Sequence, residues 1–215
     1  MIKLERTSVM NIENAIRGAR NPMNSWAKSD SKYSWEYGEM PRYEIGTNDL
    51  NLARRLVKAG SDHRKFLRQI FVSVDITAPL YWWKEYDTYK VSTTANSCST
   101  MHKIHTKKFN RDDFSHDRMD DGALMMLDTT ISYLESERQK FLNDKTNRQP
   151  WHNIIQSLPS SYNQMRTCTL TYENLLNQYR ARKNHKLAEW HTYCDWIETL
   201  PYFKEMCLEG ECDGE

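Results

Sequence analysis

An alternating run, VSVDI from Val72 to Ile76, leads through Ala78-Pro79 into the aromatic segment LYWWKEYDTYK. Apolar and polar residues that alternate with a period of two predict a β-strand with one buried face. Proline suits the first turn of a helix, because the backbone N–H that it lacks has no helical partner there. The sequence therefore predicts a strand that ends at Pro79 and passes directly into an aromatic helix.

Helical spacing of apolar residues recurs along the rest of the chain. It predicts a long helix over about 122–141 and shorter helices over NIENAIRGAR, NDLNLARRLVKAG and WHNIIQSLP. Asn48 or Asp49 is expected to cap the second of these, which stops at Gly60. IKLERTSV near the N-terminus is expected to be an edge strand. The last long element is expected to begin after SSYNQ and to run as a helix to about Thr199, with a kink or break at Asn184-His185.

Few tight turns are available to this chain, because only seven of its 215 residues are glycine and six are proline. That composition argues against an all-β fold. Seven tryptophans and twelve tyrosines offset the modest apolar fraction of 39% and supply core volume. We therefore predict one α+β domain over residues 1–215, mostly helical with one small sheet, and a polar C-terminal tail from about residue 200.

Charge and cysteine content restrict the partners and the compartment. The net charge is +1 and no basic run stands out, which gives no reason to expect nucleic-acid binding. No segment is apolar for long enough to cross a membrane, and the N-terminus has no signal-peptide core. Five cysteines without paired spacing fit a reducing compartment. The expected protein is cytoplasmic, without a nucleic-acid or membrane partner.

Common catalytic and phosphate-binding motifs are missing from the sequence. Neither GxGxxG, GxxxxGK[ST] nor GxSxG occurs, so nucleotide binding would need another architecture. His102 and His105 are three residues apart, but no carboxylate set accompanies them, which favours a surface pair over a metal site. No metal site is predicted.

Two polar segments remain as candidates for ligand binding. The first follows the aromatic helix and contains Thr88, Tyr89, Lys90, Ser92, Thr93 and Asn96. Short hydroxyl and amide side chains can bind phosphate or base edges, although a solvated helix end would look the same. The second, LPSSYNQMRTCTLTYENLLNQYRAR, places Asn177 and Arg182 on a helix. Arg182 falls on an apolar stripe, where it either meets an anion or extends its charge to the surface.

The order of these segments along the chain resembles that of the flavin-dependent thymidylate synthase family. AGSDHRKFLRQIFVSVDITAPLYWWKEYDTYKVSTTANS follows the family's layout of a Gly-His stretch, a strand, Ala-Pro and a helix leading to an RHRxxSxNExSxRY-like signature. LPSSYNQMRTCTLTYENLLNQYRAR matches the family's Leu-Pro, Thr/Asn-rich turn and helix ending in Leu-x-x-Arg. The resemblance covers roughly residues 50–100 and 150–197. It implies the family's fold, here a mostly helical domain with a small antiparallel sheet.

Site roles follow from the resemblance residue by residue. It implies flavin contacts for His63, Gln69, Thr88, Tyr89, Lys90 and Asn177. It implies nucleotide contacts for Glu85, Ser92, Thr93, Asn96 and Arg182. Arg182 also takes the place of an arginine that helps to activate the pyrimidine, which makes it the candidate catalytic residue. The departures are large, because Thr88, Tyr89 and Lys90 replace the cationic RHR and Arg68-Gln69 replaces a Glu-His pair.

The activity implied is reductive one-carbon transfer to dUMP or a related pyrimidine nucleotide with FAD. The family further implies NADPH, methylenetetrahydrofolate and a homotetramer, so an active protein would be a methyltransferase of nucleotide biosynthesis. Trp82, Trp83, Tyr86 and Tyr89 would then be free to stack on a flat ring. The loss of RHR favours an alternative, a non-catalytic nucleotide-binding or oligomeric protein with the same fold. In a third interpretation the protein is a purely structural oligomer whose cleft is filled by Trp82 and Trp83.

Overall fold

A computed structural model describes residues 2–35, 40–89 and 91–209. As predicted, the chain forms a mostly helical α+β single domain with a small antiparallel sheet. A four-stranded sheet has the order β1-β4-β6-β5, and β2 pairs with β3 in an antiparallel ribbon. The strands are β1 (Lys3–Met10), β2 (Lys32–Ser34), β3 (Arg42–Glu44), β4 (Phe71–Pro79), β5 (Thr94–Ser97) and β6 (Asn163–Thr171).

Helices carry most of the remaining regular structure. They are α1 (Ile12–Ala19), α2 (Thr47–Lys58), α3 (Leu80–Tyr86), α4 (Thr100–Lys103), α5 (Asp121–Asn143), α6 (Gln149–Ser157), α7 (Tyr172–Arg182), α8 (Ala188–Glu198) and α9 (Phe203–Cys207). Short 3-10 turns lie at Asn21–Met23, Trp26–Lys28, Lys65–Gln69, Asp87–Tyr89 and Arg111–Asp113. Among the described residues no helix has both the length and the apolar character needed to cross a membrane.

The strand-to-helix prediction at Pro79 is confirmed. Val72, Val74 and Ile76 are buried along β4 while the residues between them are partly exposed, as the alternation requires. Pro79 takes the N-cap position of α3 in an extended conformation, so its missing N–H costs no helical hydrogen bond. The polar segment therefore begins on a fixed support, a buried strand joined without a loop to a buried helix.

The prediction for the last long element is wrong at its start. Residues 163–171 form β6, and the helical part is divided into α7 and α8 by a break over 183–187. NQMRTCTLT alternates and is rich in threonine, which suits a pleated strand, and Cys168 and Leu170 are its buried residues. The break at Asn184-His185 was expected. Two further elements were missed, the β2–β3 ribbon between α1 and α2 and β5 after the aromatic helix.

The predicted cap of α2 is also wrong. The carboxylate of Asp30 accepts hydrogen bonds from the backbone N–H groups of Asn48 and Asp49, at 2.9 and 3.1 Å. Asp49 is itself buried, and it accepts hydrogen bonds from Arg20 and from the hydroxyls of Ser29 and Ser31. A distant aspartate thus caps the helix, which local sequence patterns do not reveal.

Residue contacts fall into two compact units within the chain. The first unit comprises Met1–Glu5, Asp75–Lys90 and Ala95–Cys168, and the second comprises Arg6–Val74, Val91–Thr94 and Thr169–Glu215. A hydrophobic cluster that includes Phe114, Leu134 and Ile154 is buried in the first unit. Buried side chains of the second unit include Ile16, Leu67, Leu175, Trp190 and Tyr193.

Buried structure continues past residue 200. Phe203, Met206 and Cys207 are buried on α9, where a polar tail was expected to begin. Polar residues that follow, 210–215, lie outside the described residues.

Candidate functional site

The turn that carries His63 begins at Gly60, just after α2. Gly60 has a φ of 101°, a conformation that suits glycine because it has no Cβ. The backbone N–H groups of His63 and Arg64 both donate to the Gly60 carbonyl at 3.1 Å. The 3-10 turn Lys65–Gln69 follows at once, with Phe66 and Leu67 buried. The glycine therefore fixes the position from which His63 and Gln69 extend.

His63 and Gln69 line one cleft of the second unit, with a volume of about 550 Å³. We call it the His63–Gln69 cleft. Its apolar walls include Met23, Leu56 and Phe66, and Lys65 adds a cation. The side-chain amide of Asn11 donates to the Gln69 carbonyl at 2.9 Å and fixes its backbone. The structure thus brings together two of the residues predicted to contact flavin.

Asn177 is exposed on α7 and is connected to the same turn through Arg64. Arg64 Nη2 donates to Asn177 Oδ1 at 3.2 Å. The same guanidinium forms a two-pronged ion pair with Glu173, with Nε 2.9 Å from Oε2 and Nη2 3.0 Å from Oε1. Arg64 is 7% exposed and Glu173 is 8% exposed. This buried pair fixes the His63 turn on the first turn of α7.

Arg182 lies at the end of α7 and is half-buried. Its guanidinium carbon is 5.0 Å from the centroid of the Trp190 ring on α8. This distance is within the range of a cation–π contact, which holds the arginine in place while leaving its charge near the surface. The structure therefore supports neither a fully buried Arg182 nor a fully solvated one.

The polar segment after α3 has two parts in the structure. In the first unit the Thr88 hydroxyl donates to the Glu85 carbonyl at 2.7 Å, so it caps α3, and Asn96 is exposed on β5. Tyr89 is half-buried. The predicted contact at Lys90 lies outside the described residues. Predicted contacts from Glu85, Thr88, Tyr89 and Asn96 stay predictions.

Ser92 and Thr93 belong to the second unit, where they follow Val91. Ser92 has a φ of 60°. The side-chain amide of Asn174 donates to the Val91 carbonyl at 2.7 Å and holds this segment at the start of α7. The Thr93 hydroxyl is buried and has no hydrogen-bond partner among the described residues. A buried hydroxyl without a partner is uncommon, and it is compatible with a role in polar binding.

The aromatic residues of α3 do not form a stacking platform, which corrects one expectation. Trp82, Trp83 and Tyr86 are at most 2% exposed. Trp82 stacks on Tyr86 with ring centroids 5.0 Å apart, and Trp83 meets Trp82 edge-on at the same distance. These rings form part of the core of the first unit, because a helix that follows a buried strand buries its own inner face.

Other reactive groups give no second candidate. Among the described residues no group of three or more His, Cys, Asp and Glu side chains could hold a metal. Burial raises the pKa of the Cys168 thiol to about 11 and that of the Cys194 thiol to about 12. Thiols with such pKa values are poor nucleophiles near neutral pH.

Sequence reasoning missed the residues that support the site, namely Arg64, Glu173 and Asn174. Arg64 and Glu173 are far apart in sequence, and each looks like a surface charge on its own. The one sequence feature that could have pointed to Arg64 as a supporting residue was its position directly after His63. Asn174 sits at the third helical position of α7, where a side chain that caps the helix is common.

Comparison with known proteins identifies the fold. No protein-family model matches this sequence, and no curated protein matches it. A crystal structure of thymidylate synthase X (ThyX) from Helicobacter pylori with FAD and dUMP matches with a TM-score of 0.72 and 16% identity, over 97% of this chain and 98% of that chain. A second structure, of the flavin-dependent thymidylate synthase ThyX from Helicobacter pylori complexed with FAD and dUMP, gives 0.67 and 16% over 96% and 98%. The fold is therefore that of the flavin-dependent thymidylate synthases, as the resemblance implied.

Proposed function

We propose that this protein is a flavin-dependent thymidylate synthase-like enzyme that performs reductive one-carbon transfer to dUMP or a related pyrimidine nucleotide with FAD. The observation that carries the proposal is the His63–Gln69 cleft, in which two predicted flavin contacts meet within a fold that known proteins use to bind FAD and dUMP. NADPH, methylenetetrahydrofolate and a homotetramer of cytoplasmic subunits belong to the proposal by family resemblance only.

The residues of the cleft fit a flavin. A flavin ring is flat, apolar on its faces and polar at its rim, and the cleft combines apolar walls with His63 and Gln69. The Gln69 amide lies against Gly18, since a Cβ added at Gly18 would be only 3.0 Å from Gln69 Oε1. Lys65 offers a cation for a phosphate. A bound flavin supplies hydride transfer, which no side chain of this chain provides.

The protein's own residues would bind and orient the reactants. His63 and Gln69 would hold the flavin through hydrogen bonds, and the apolar walls would keep water from its face. Asn177 would add a polar contact from α7. Arg182 would contact the pyrimidine, because a cation held against Trp190 can stabilise negative charge that develops on the ring.

The polar segment would bind the rest of the nucleotide. Ser92 and Thr93 of the second unit would contact it through their hydroxyls. For Glu85 and Asn96 a nucleotide contact, and for Thr88, Tyr89 and Lys90 a flavin contact, is proposed by family resemblance only. A single cation at Lys90 stands where the family has RHR, so the expected affinity for anionic groups is weaker there.

One observation favours a second candidate function, a nucleotide-binding or oligomeric protein without catalysis. Trp82, Trp83 and Tyr86 are core residues, so they do not replace the lost cationic signature with a stacking surface. A chain with this fold would then retain nucleotide binding at the second unit and lose the reaction.

The absorbance spectrum of the purified protein, recorded before and after incubation with FAD, tests the proposal. We expect flavin bands that remain after gel filtration, dUMP binding by calorimetry, and dTMP formation with methylenetetrahydrofolate and NADPH. His63→Ala should weaken FAD binding, whereas His102→Ala, which changes an exposed histidine on α4, should not. Colourless protein that takes up neither FAD nor dUMP would exclude the enzyme, and dUMP binding without turnover would favour the second candidate.

A further inference from the structure

We propose that Arg64 is a positioning residue for the flavin site: it orients the Asn177 amide so that only N–H donors face the ligand, and it fixes the turn that carries His63. This inference rests on the proposed function, because it assigns a task to residues that are connected to the His63 turn of the same cleft.

Hydrogen-bond chemistry determines the orientation of Asn177. A guanidinium has donors and no acceptor, so the Asn177 atom that faces Arg64 Nη2 must be the carbonyl oxygen, at 3.2 Å. The two N–H groups of the amide then point away from Arg64, on a side chain that is exposed to solvent. Without Arg64 the amide could turn over and present its oxygen instead. Arg64 therefore selects a ligand atom that accepts hydrogen bonds, such as a carbonyl oxygen, a ring nitrogen or a phosphate oxygen.

The Glu173 pair gives Arg64 the rigidity that this role needs. Two N–H donors of the Arg64 guanidinium contact both carboxylate oxygens of Glu173. These two bonds fix the plane of the guanidinium independently of Asn177. Both residues are buried, which restricts the rotation of their side chains further. Glu173 and Asn177 are four residues apart on α7 and therefore lie on one helical face. The guanidinium of Arg64 therefore donates hydrogen bonds to both side chains.

The same residue also reaches the cleft through the backbone. Arg64 directly follows His63, and the N–H groups of both residues donate to the Gly60 carbonyl. Any rotation of the turn that moved His63 would pull Arg64 from Glu173. One buried side chain thus couples His63, which lines the cleft, to Asn177 on the neighbouring helix.

A thermodynamic cycle with Arg64→Lys and Asn177→Ala tests the inference. Lysine keeps a cation opposite Glu173, which avoids an unpaired buried charge, but it lacks the planar fork. The measurements are the FAD dissociation constant by calorimetry and the melting temperature of the flavin-free protein. We expect each single variant to weaken FAD binding about tenfold and the double variant to lose clearly less than the product of the two losses, because part of the effect of Arg64 acts through Asn177. Arg55→Lys, an exposed arginine on α2, should bind FAD like the wild type.

Several outcomes would overturn the inference. It fails if Arg64→Lys binds FAD as tightly as the wild type, or if the two losses multiply in the double variant. If Arg64→Lys does not fold, FAD binding by Asn177→Asp tests the inference instead. Aspartate keeps an oxygen that accepts from Arg64 but lacks the two amide N–H donors. Loss of FAD binding by folded Asn177→Asp supports the inference, and unchanged binding overturns it. Wild-type protein that binds no FAD overturns the proposed function itself, which separates the two failures.

Discussion

Arg166 of β6 lies over the indole of Trp83, with its guanidinium carbon 4.1 Å from the ring centroid. Arg166 Nη1 also donates to Asp87 Oδ1 at 2.8 Å, and the Trp83 indole N–H donates to the Gln164 carbonyl at 2.9 Å. α3 and the turn after it are therefore fixed to β6 by one arginine and one tryptophan. Because Thr88 and Tyr89 follow at once, this contact sets where the polar segment begins.

Arg166→Ala should destabilise the protein by about 1–3 kcal/mol. The variant removes a cation–π contact with a buried ring and a hydrogen bond to Asp87. Urea denaturation monitored by tryptophan fluorescence gives the free energy of unfolding. The matched control is Arg111→Ala, which breaks an ion pair with Asp128 whose side chains are 48% and 47% exposed. An equal loss of stability in both variants would contradict a special role for Trp83.

Arg182→Ala should weaken dUMP binding by about 2 kcal/mol, roughly 30-fold, because it removes the charged hydrogen-bond donor that we propose for the pyrimidine. The melting temperature should also fall, since the variant loses the cation–π contact with Trp190. Arg180→Ala changes an exposed arginine on the same helix and should leave dUMP affinity unchanged. Calorimetry measures both affinities, and equal affinities for Arg182→Ala and the wild type would remove Arg182 from the site.

Gly60→Ala should destabilise the protein, whereas Gly122→Ala should not. At Gly60 a Cβ meets no atom within 4 Å, so the cost comes from the φ of 101° and should be about 1 kcal/mol. Gly122 lies in the first turn of α5, where alanine should be neutral or slightly stabilising. Thermal unfolding measures both changes. The Gly60 variant should also weaken FAD binding, because the backbone N–H groups of the His63 turn donate to the Gly60 carbonyl. A wild-type FAD affinity in this variant would show that the turn does not affect the cleft.

Much of the fold could be predicted from the sequence because its signals are local. The alternation in β4, the proline at the start of α3 and the apolar spacing of α5 each arise within one element. Errors occurred where a distant residue decides the local structure. Asp30 caps α2 in place of Asn48 or Asp49, and β6 gains its identity from pairing with β4 and β5.

The candidate site was predictable in part for the same reason. The resemblance names His63 and Gln69 together, and both line one cleft because a single turn fixes the spacing between them; their flavin contacts stay predictions. The sequence left open whether Trp82 and Trp83 stack on a ligand or are buried, because it does not show which face of α3 points inward, and the structure buries both. Arg64 was missed because its partners, Glu173 and Asn177, come from another helix.

The ion pair of Glu135 and Arg138 on α5 should make stability depend on pH in the acid range. Two hydrogen bonds of 2.7 Å from Arg138 lower the pKa of the Glu135 carboxyl to about 2. A lowered pKa means that the unfolded chain binds this proton more readily than the folded one. The contribution to stability is therefore complete above the unfolded pKa and is lost as the pH falls from about 4.5 towards 2. Glu135→Gln should lose less stability over that interval than the wild type, as measured by urea denaturation at pH 7, 4 and 3. Glu5→Gln, which changes an exposed residue of β1, should follow the wild type, and identical pH profiles for wild type and Glu135→Gln would contradict the assignment.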